Sequence, residues 1–146
     1  MGEVQQIDFS HWILRFIALI IDGVILSIIA SILWSFVFVS LLVTGAFLGY
    51  GYALIFPLIV GVLMVLYFAF FEVTWGATLG KRFLGLKVQT TNGGQVTFDK
   101  SIIRNISKIY WIFLLVDWLL GVFTPGDDRR QKYTDRIAGT TVIQIS

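Results

Sequence analysis

Residues 23–71 read GVILSIIASILWSFVFVSLLVTGAFLGYGYALIFPLIVGVLMVLYFAFF, 49 positions without one Asp, Glu, Lys, Arg or His. A helix crossing about 30 Å of hydrocarbon needs about 20 apolar residues. The stretch is therefore long enough for two crossings joined by a turn, and the glycine-rich cluster Thr44, Gly45, Gly49 and Gly51 supplies the turn. Helix 1 is expected at about 13–43 and helix 2 at about 52–74. Helix 1 is longer than the bilayer requires, so it tilts or extends beyond it.

The whole composition agrees with that reading. Hydrophobic residues make up 57% of the 146-residue chain and charged residues 14%, against roughly 25% charged in soluble domains. Mean hydropathy is +0.84. A soluble chain of this size has too little interior to hide so much apolar surface. The first residues carry Glu3 and Asp8 rather than a basic cluster, and the apolar run far exceeds the roughly 7–15 residues of a signal-peptide core. It reads as a retained anchor. With no cysteine and one histidine, His11, the chain offers no disulfide or thiolate chemistry, and neither a metal site nor another cofactor is expected.

Beyond helix 2 the sequence turns polar. Its middle, LKVQTTNGGQVTF (86–98), alternates around Asn92-Gly93, which predicts a small β-hairpin at about 84–99. A third apolar segment follows at about 102–123, with Arg104 and Lys108 in its first turns and Asp117 in its most apolar part. The tail, 124–146, ends in TTVIQI, a strand able to pair with the 86–98 region. The fold class is all-α membrane protein: two transmembrane helices, a third short or re-entrant apolar segment, and a small cytoplasmic hairpin.

Positive charge in short loops marks the cytoplasmic side. The 44–51 turn has none, whereas 76–108 carries Lys81, Arg82, Lys87, Lys100, Arg104 and Lys108. The N-terminus and 76–108 are thus expected in the cytoplasm. A full third crossing would put a tail bearing Arg129, Arg130, Lys132 and Arg136 on the opposite side. A re-entrant third segment removes that conflict; three full spans are the alternative.

Ionisable groups inside a span are costly and face a partner, a cavity or a pathway. Arg15 and Asp22 are seven residues apart in helix 1, on one face and about 10 Å apart along it. Arg15 can snorkel to the surface on its long stem. Counting from the turn, Glu72 falls at a depth similar to that of Asp22. Two such carboxylates together make a proton or cation site; the structural alternative is an ion pair from Asp22 to Arg15, Lys81 or Arg82. Gly23, Ser27, Ser31 and Ser35 form a small-residue stripe, suited to packing helix 2 on helix 1 or to a homodimer seam.

The run Gly76-Ala-Thr-Leu-Gly80-Lys81-Arg82 has three residues between its glycines and Arg after Lys, so it fails the phosphate-loop pattern. Lys81, Arg82, Arg104 and Lys108 are expected at lipid headgroups. Asn105-Ile106-Ser107 fits a glycosylation acceptor, without meaning on the cytoplasmic side. Basic residues beside Tyr110 and Trp111 flank a membrane segment and do not suggest nucleic acid. No nucleophile set or cofactor motif points to an enzyme.

RFIALIID (15–22), GATLGKRFLGLKV (76–88), the pair Arg104-Asn105 and YTDRIAGTTV (133–142) together resemble the ordered blocks of the RDD family of small membrane proteins. That family is named for an arginine and two aspartates, which here are Arg15, Asp22 and Asp135. Asp117 and Trp118 match none of its motifs. The resemblance implies transport: some members resemble sodium/proton antiporters in activity and work as oligomers. On that basis Asp22 is expected to carry a monovalent cation or a proton, with Arg15 as its electrostatic control and Asp135 paired with Arg15. The implied partners are the lipid bilayer, the cation and proton, and further copies of the chain, in a prokaryotic cell membrane. The competing reading is a non-transporting scaffold in which the same residues clamp hairpin and tail onto the helices.

Overall fold

The computed structural model describes residues 7–44 and 51–145. Two long helices dominate it: α1 (Phe9–Thr44) and α2 (Gly51–Trp75). Both are apolar around most of their circumference, as lipid-facing helices are. The expected turn at Gly45 and Gly49 lies outside the described residues. The short α3 (Leu79–Phe83) leads into β1 (Leu86–Thr90). Then come α4 (Phe98–Asn105), a 3-10 turn (Ile106–Ile109) and α5 (Trp111–Phe123). The chain closes with α6 (Tyr133–Ala138) and β2 (Thr140–Gln144).

The small sheet is present, with a different pairing from the one expected. Asn92-Gly93 does turn, with Gly93 at φ +83, but the chain after it enters α4 instead of a second strand. β1 pairs antiparallel with β2, from Leu86 opposite Gln144 to Thr90 opposite Thr140. A two-stranded ribbon needs a surface to lie on. Ala18 of α1 provides it, packed with Leu86, Val88, Val96 and Val142 in one buried cluster. The strand read in the tail is thus the partner, and it ties the end of the chain to the start of α1.

Residues 23–44 of α1 extend about 33 Å and residues 51–71 of α2 about 31 Å at 1.5 Å per residue. Each charge-free length matches the hydrocarbon core. Asp22 and Glu72 therefore mark the same end of both spans, called the head here, instead of lying at mid-membrane. α1 packs chiefly on α3, and α2 on α4 and the 3-10 turn. Ser27, Ser31 and Ser35 are exposed, and their hydroxyls bond back to carbonyls of their own helix. The small-residue stripe does not seat α2.

The third apolar segment is broken. The axis through α4 and the 3-10 turn meets that of α5 at a bend of 114°. α5 is 13 residues long, about 20 Å, too short to cross. Both ends of the segment lie at the head: Gln95 donates to the Val73 carbonyl at 3.3 Å, and Gly121 sits against the backbone of Lys132. Its tip reaches α2 about 15 Å further in, counting from Phe71 to Gly61. There a Cβ on Gly61 would collide with the backbone of Ile109, so glycine is what allows the close approach. The segment runs in along α2, turns near Tyr110 and brings its far end back to the head, the path of a re-entrant hairpin. Ile112, Phe113, Leu115, Val116 and Leu119 of α5 stay exposed while Asp117 is buried. An apolar outer face with a buried acid suits a hairpin lying in lipid against a polar centre.

Candidate functional site

At the head, α1, α2, α3, the re-entrant hairpin and α6 converge on a buried group of charges. Arg15 is only 5% exposed and does not snorkel outward. Its Nη2 donates to Asp135 Oδ2 at 2.7 Å, and its Nη1 bonds the Arg130 carbonyl. The guanidinium lies over the Trp12 and Trp118 rings, 5.2 and 5.9 Å from their centroids. Trp118 stacks edge-on against Trp12 at 5.1 Å, and the Trp12 indole donates to the Arg129 carbonyl at 3.0 Å. α5 and the tail are thereby fastened to the first turns of α1.

Asp135 holds a second cation, Arg104, whose Nη2 is 3.0 Å from Oδ1. It also accepts from the Lys132 backbone N–H at 3.3 Å, which caps α6. Burial alone would raise its carboxyl, but Arg104, Arg15 and Lys132 outweigh burial and hold it well below its usual 3.8. A carboxylate with a depressed folded value contributes stability above its unfolded value and loses it as pH falls through the folded one. The unfolding midpoint in detergent is therefore expected to drop as pH is lowered from about 4 to about 2, with a shallower slope in Asp135→Asn.

Glu72 is fully buried and gathers α2, α3 and α4. Lys81 Nζ bonds its Oε1. Ser101 and Asn105 donate to Oε2 at 2.9 and 2.8 Å, and Arg104 Nε stands 3.7 Å away. Burial pulls the Lys81 ammonium down to about 8, with the Glu72 carboxylate opposing it.

Asp117, which interrupts the apolar run in the sequence, is matched by Lys132 at 2.6 Å. Ser107 and the Thr134 hydroxyl donate to it at 2.6 and 2.7 Å. Lys132 also reaches the Arg104 carbonyl. Sequence reasoning missed Lys132; the signal was a lone acid in an apolar segment, which calls for a cation elsewhere.

Asp22 differs from all of these. Its carboxylate accepts from the Tyr67 hydroxyl at 3.0 Å, the Thr78 hydroxyl at 2.5 Å and the Gly80 N–H at 2.8 Å. None of Arg15, Lys81 or Arg82 pairs with it, so the expected ion pair is absent. It also shares no donor with Glu72: Thr78 and Gly80 serve Asp22, and Lys81, next along, serves Glu72. The two carboxylates stand at one level without forming a common site. Gly80 is required here, since a Cβ would press on the Ala18 carbonyl and lie 3.0 Å from the Asp22 carboxylate.

The expected headgroup role fails for three of four cations. Lys81 is 6%, Arg104 0% and Lys108 8% exposed. Each turns inward: Lys81 onto Glu72, Arg104 onto Asp135 and Glu72, and Lys108 onto Asn105. Lys108 bonds the Asn105 side-chain carbonyl and lies 4.2 Å from the Phe68 ring centroid. Arg82 alone is exposed, over Trp75 at 5.4 Å. Among the described residues no group of three or more His, Asp or Glu side chains is placed to hold a metal ion.

Arg15, Asp22 and Asp135 are thus all buried at the head, the first two on α1 and the third on α6. A sequence model of the RDD family matches residues 9–139. The chain belongs to the RDD family. It is 37% identical over 119 residues to an uncharacterized protein of Haemophilus influenzae, across 76% of this chain and 74% of that protein. No solved structure matches it. In this RDD protein the family's arginine and second aspartate form a direct ion pair, while the first aspartate stands apart on neutral donors.

Proposed function

We propose that this RDD protein is a small-ion transporter exchanging a monovalent cation for a proton, with Asp22 as the carrier. One observation carries the reading. Of the buried carboxylates at the head, Glu72, Asp117 and Asp135 each pair with Lys or Arg, whereas among the described residues Asp22 has only two hydroxyls and one N–H. A carboxylate without a resident cation is the one free to take a proton or a metal ion. Tyr67 and Thr78 hydroxyls can rotate to offer lone pairs in place of hydrogens. The Arg15–Asp135 pair closes the head end and orients the tail. Two spans and a half-depth hairpin enclose no path, so the working unit is an oligomer in a prokaryotic cell membrane, with the head in the cytoplasm.

The second reading is a membrane scaffold. It is favoured by the same three bonds seen structurally: Asp22 stands in for a cap on α3, whose own N-cap Thr78 makes no side-chain cap bond, and so ties α1, α2 and α3 together.

Liposomes carrying the pure protein and a trapped pH dye separate the two. Proton movement that depends on sodium, lithium or potassium, and disappears in Asp22→Asn, is the expected result. Folded, inserted protein that moves no protons with any of these cations would establish the scaffold reading instead.

A further inference from the structure

Between α1, α2 and the re-entrant hairpin lies a cavity of about 20 Å³, room for about one water. Arg15, Lys81, Arg104, Lys108 and Lys132 line it, with Phe68 and Trp118 as aromatic walls. These five cations face four buried carboxylates: Glu72, Asp117 and Asp135, paired as described, and Asp22 behind Gly80. With every one of these groups ionised, the centre holds one positive charge more than it balances. Buried charge left unmatched is expensive.

The excess is accompanied by unused donors. Arg104 is fully buried, and among the described residues its Nη1 has no hydrogen-bond partner. An ammonium has three donor hydrogens. Among the described residues Lys81 uses one on Glu72 and Lys108 one on Asn105. Lys132, by contrast, is saturated by the Arg104 carbonyl, Ser107, Asp117 and Thr134.

We propose that this cavity seats one small monovalent anion of halide size, held by Arg104 Nη1 with the Lys81 and Lys108 ammonium groups. Charge and volume select the class together. One negative charge brings the centre to neutrality, and a space for a single water excludes phosphate, sulfate and lipid headgroups. The anion completes the electrostatics that hold hairpin, α2 and α3 together. It stands independently of whether Asp22 carries ions, since Asp22 is not among its donors.

The test uses the full chain purified in lipid-free detergent. Thermal unfolding is followed while sodium chloride or bromide replaces sodium gluconate at constant ionic strength. A ligand of the folded state raises Tm saturably, here by about 3–5 °C per tenfold of halide above half-saturation. Sodium sulfate at matched ionic strength is expected to give no rise. Binding of labelled chloride is expected at one per chain. Lys108→Met removes the surplus charge and one donor, so its Tm should no longer respond to halide and should not fall below that of the native chain in gluconate. Equal Tm values for the native protein in chloride and gluconate would overturn the proposal. So would a full halide response in Lys108→Met, which would mark a general ion effect. Should that variant not fold, the native Tm and labelled-chloride results decide alone.

Discussion

Asp135→Ala is expected to lower the stability of the protein by about 3–5 kcal/mol, the cost of stripping a buried ion pair of one partner. The loss is large because two guanidiniums depend on this carboxylate. Arg15 and Arg104 reach its two oxygens at 2.7 and 3.0 Å, and both are at most 5% exposed. Neither can turn to water. The N-terminus of α6 also loses its cap, since the Lys132 N–H donates to the same side chain. Arg15→Ala should cost less, because Asp135 keeps Arg104. The double variant should lose less than the sum of the two single losses, the signature of groups that interact directly. Unfolding in detergent reads all three, and additive losses would contradict the pair.

Glu72→Ala is the second large effect, again about 3–5 kcal/mol. Here the carboxylate joins three elements. Lys81 belongs to α3, Ser101, Arg104 and Asn105 to α4, and Glu72 itself to α2. Its removal leaves Lys81 without an acid and the buried Ser101 hydroxyl without its acceptor, while the Asn105 amide keeps the Ser101 carbonyl. The re-entrant hairpin should loosen first, because α4 is its entry arm. Faster protease cleavage near residues 91–97 in Glu72→Ala than in the native chain would report that loosening. Glu72→Gln retains an amide oxygen for Ser101 and Asn105 and should fall between the two. An unchanged unfolding midpoint in Glu72→Ala would show that α4 is held by apolar packing alone.

Much of the fold was legible in the residues. The charge-free run from Gly23 to Phe71 placed both spans to within a few residues, because hydrocarbon tolerates no other pattern. The basic tail predicted the return of the third segment, and TTVIQI predicted a strand. The turn at Asn92-Gly93 was real, but local turn chemistry does not choose a partner. β1 found β2 because only β2 could bring apolar Val142 onto Ala18 with Leu86 and Val88. The candidate site was legible in its members and less so in its pairings. Arg15 with Asp135 followed from the family resemblance. That Lys81, Arg104 and Lys108 turn inward did not follow from sequence, since a basic residue beside a span looks the same whether it meets a headgroup or a buried acid. Tertiary packing decides between them: α4 and the 3-10 turn lie along α2, and α3 lies against α1.

That bend is also the most direct point of attack. The native chain has no cysteine, so single replacements can be labelled without interference. Asn92→Cys precedes the re-entrant hairpin and Asp127→Cys follows it, both at exposed positions. An impermeant thiol reagent applied to sealed vesicles of one orientation should modify both from the same face, because the hairpin turns within the membrane and the tail returns to Arg15. Labelling of the two positions from opposite faces would make residues 98–123 a third crossing and would undo the paired centre at the head.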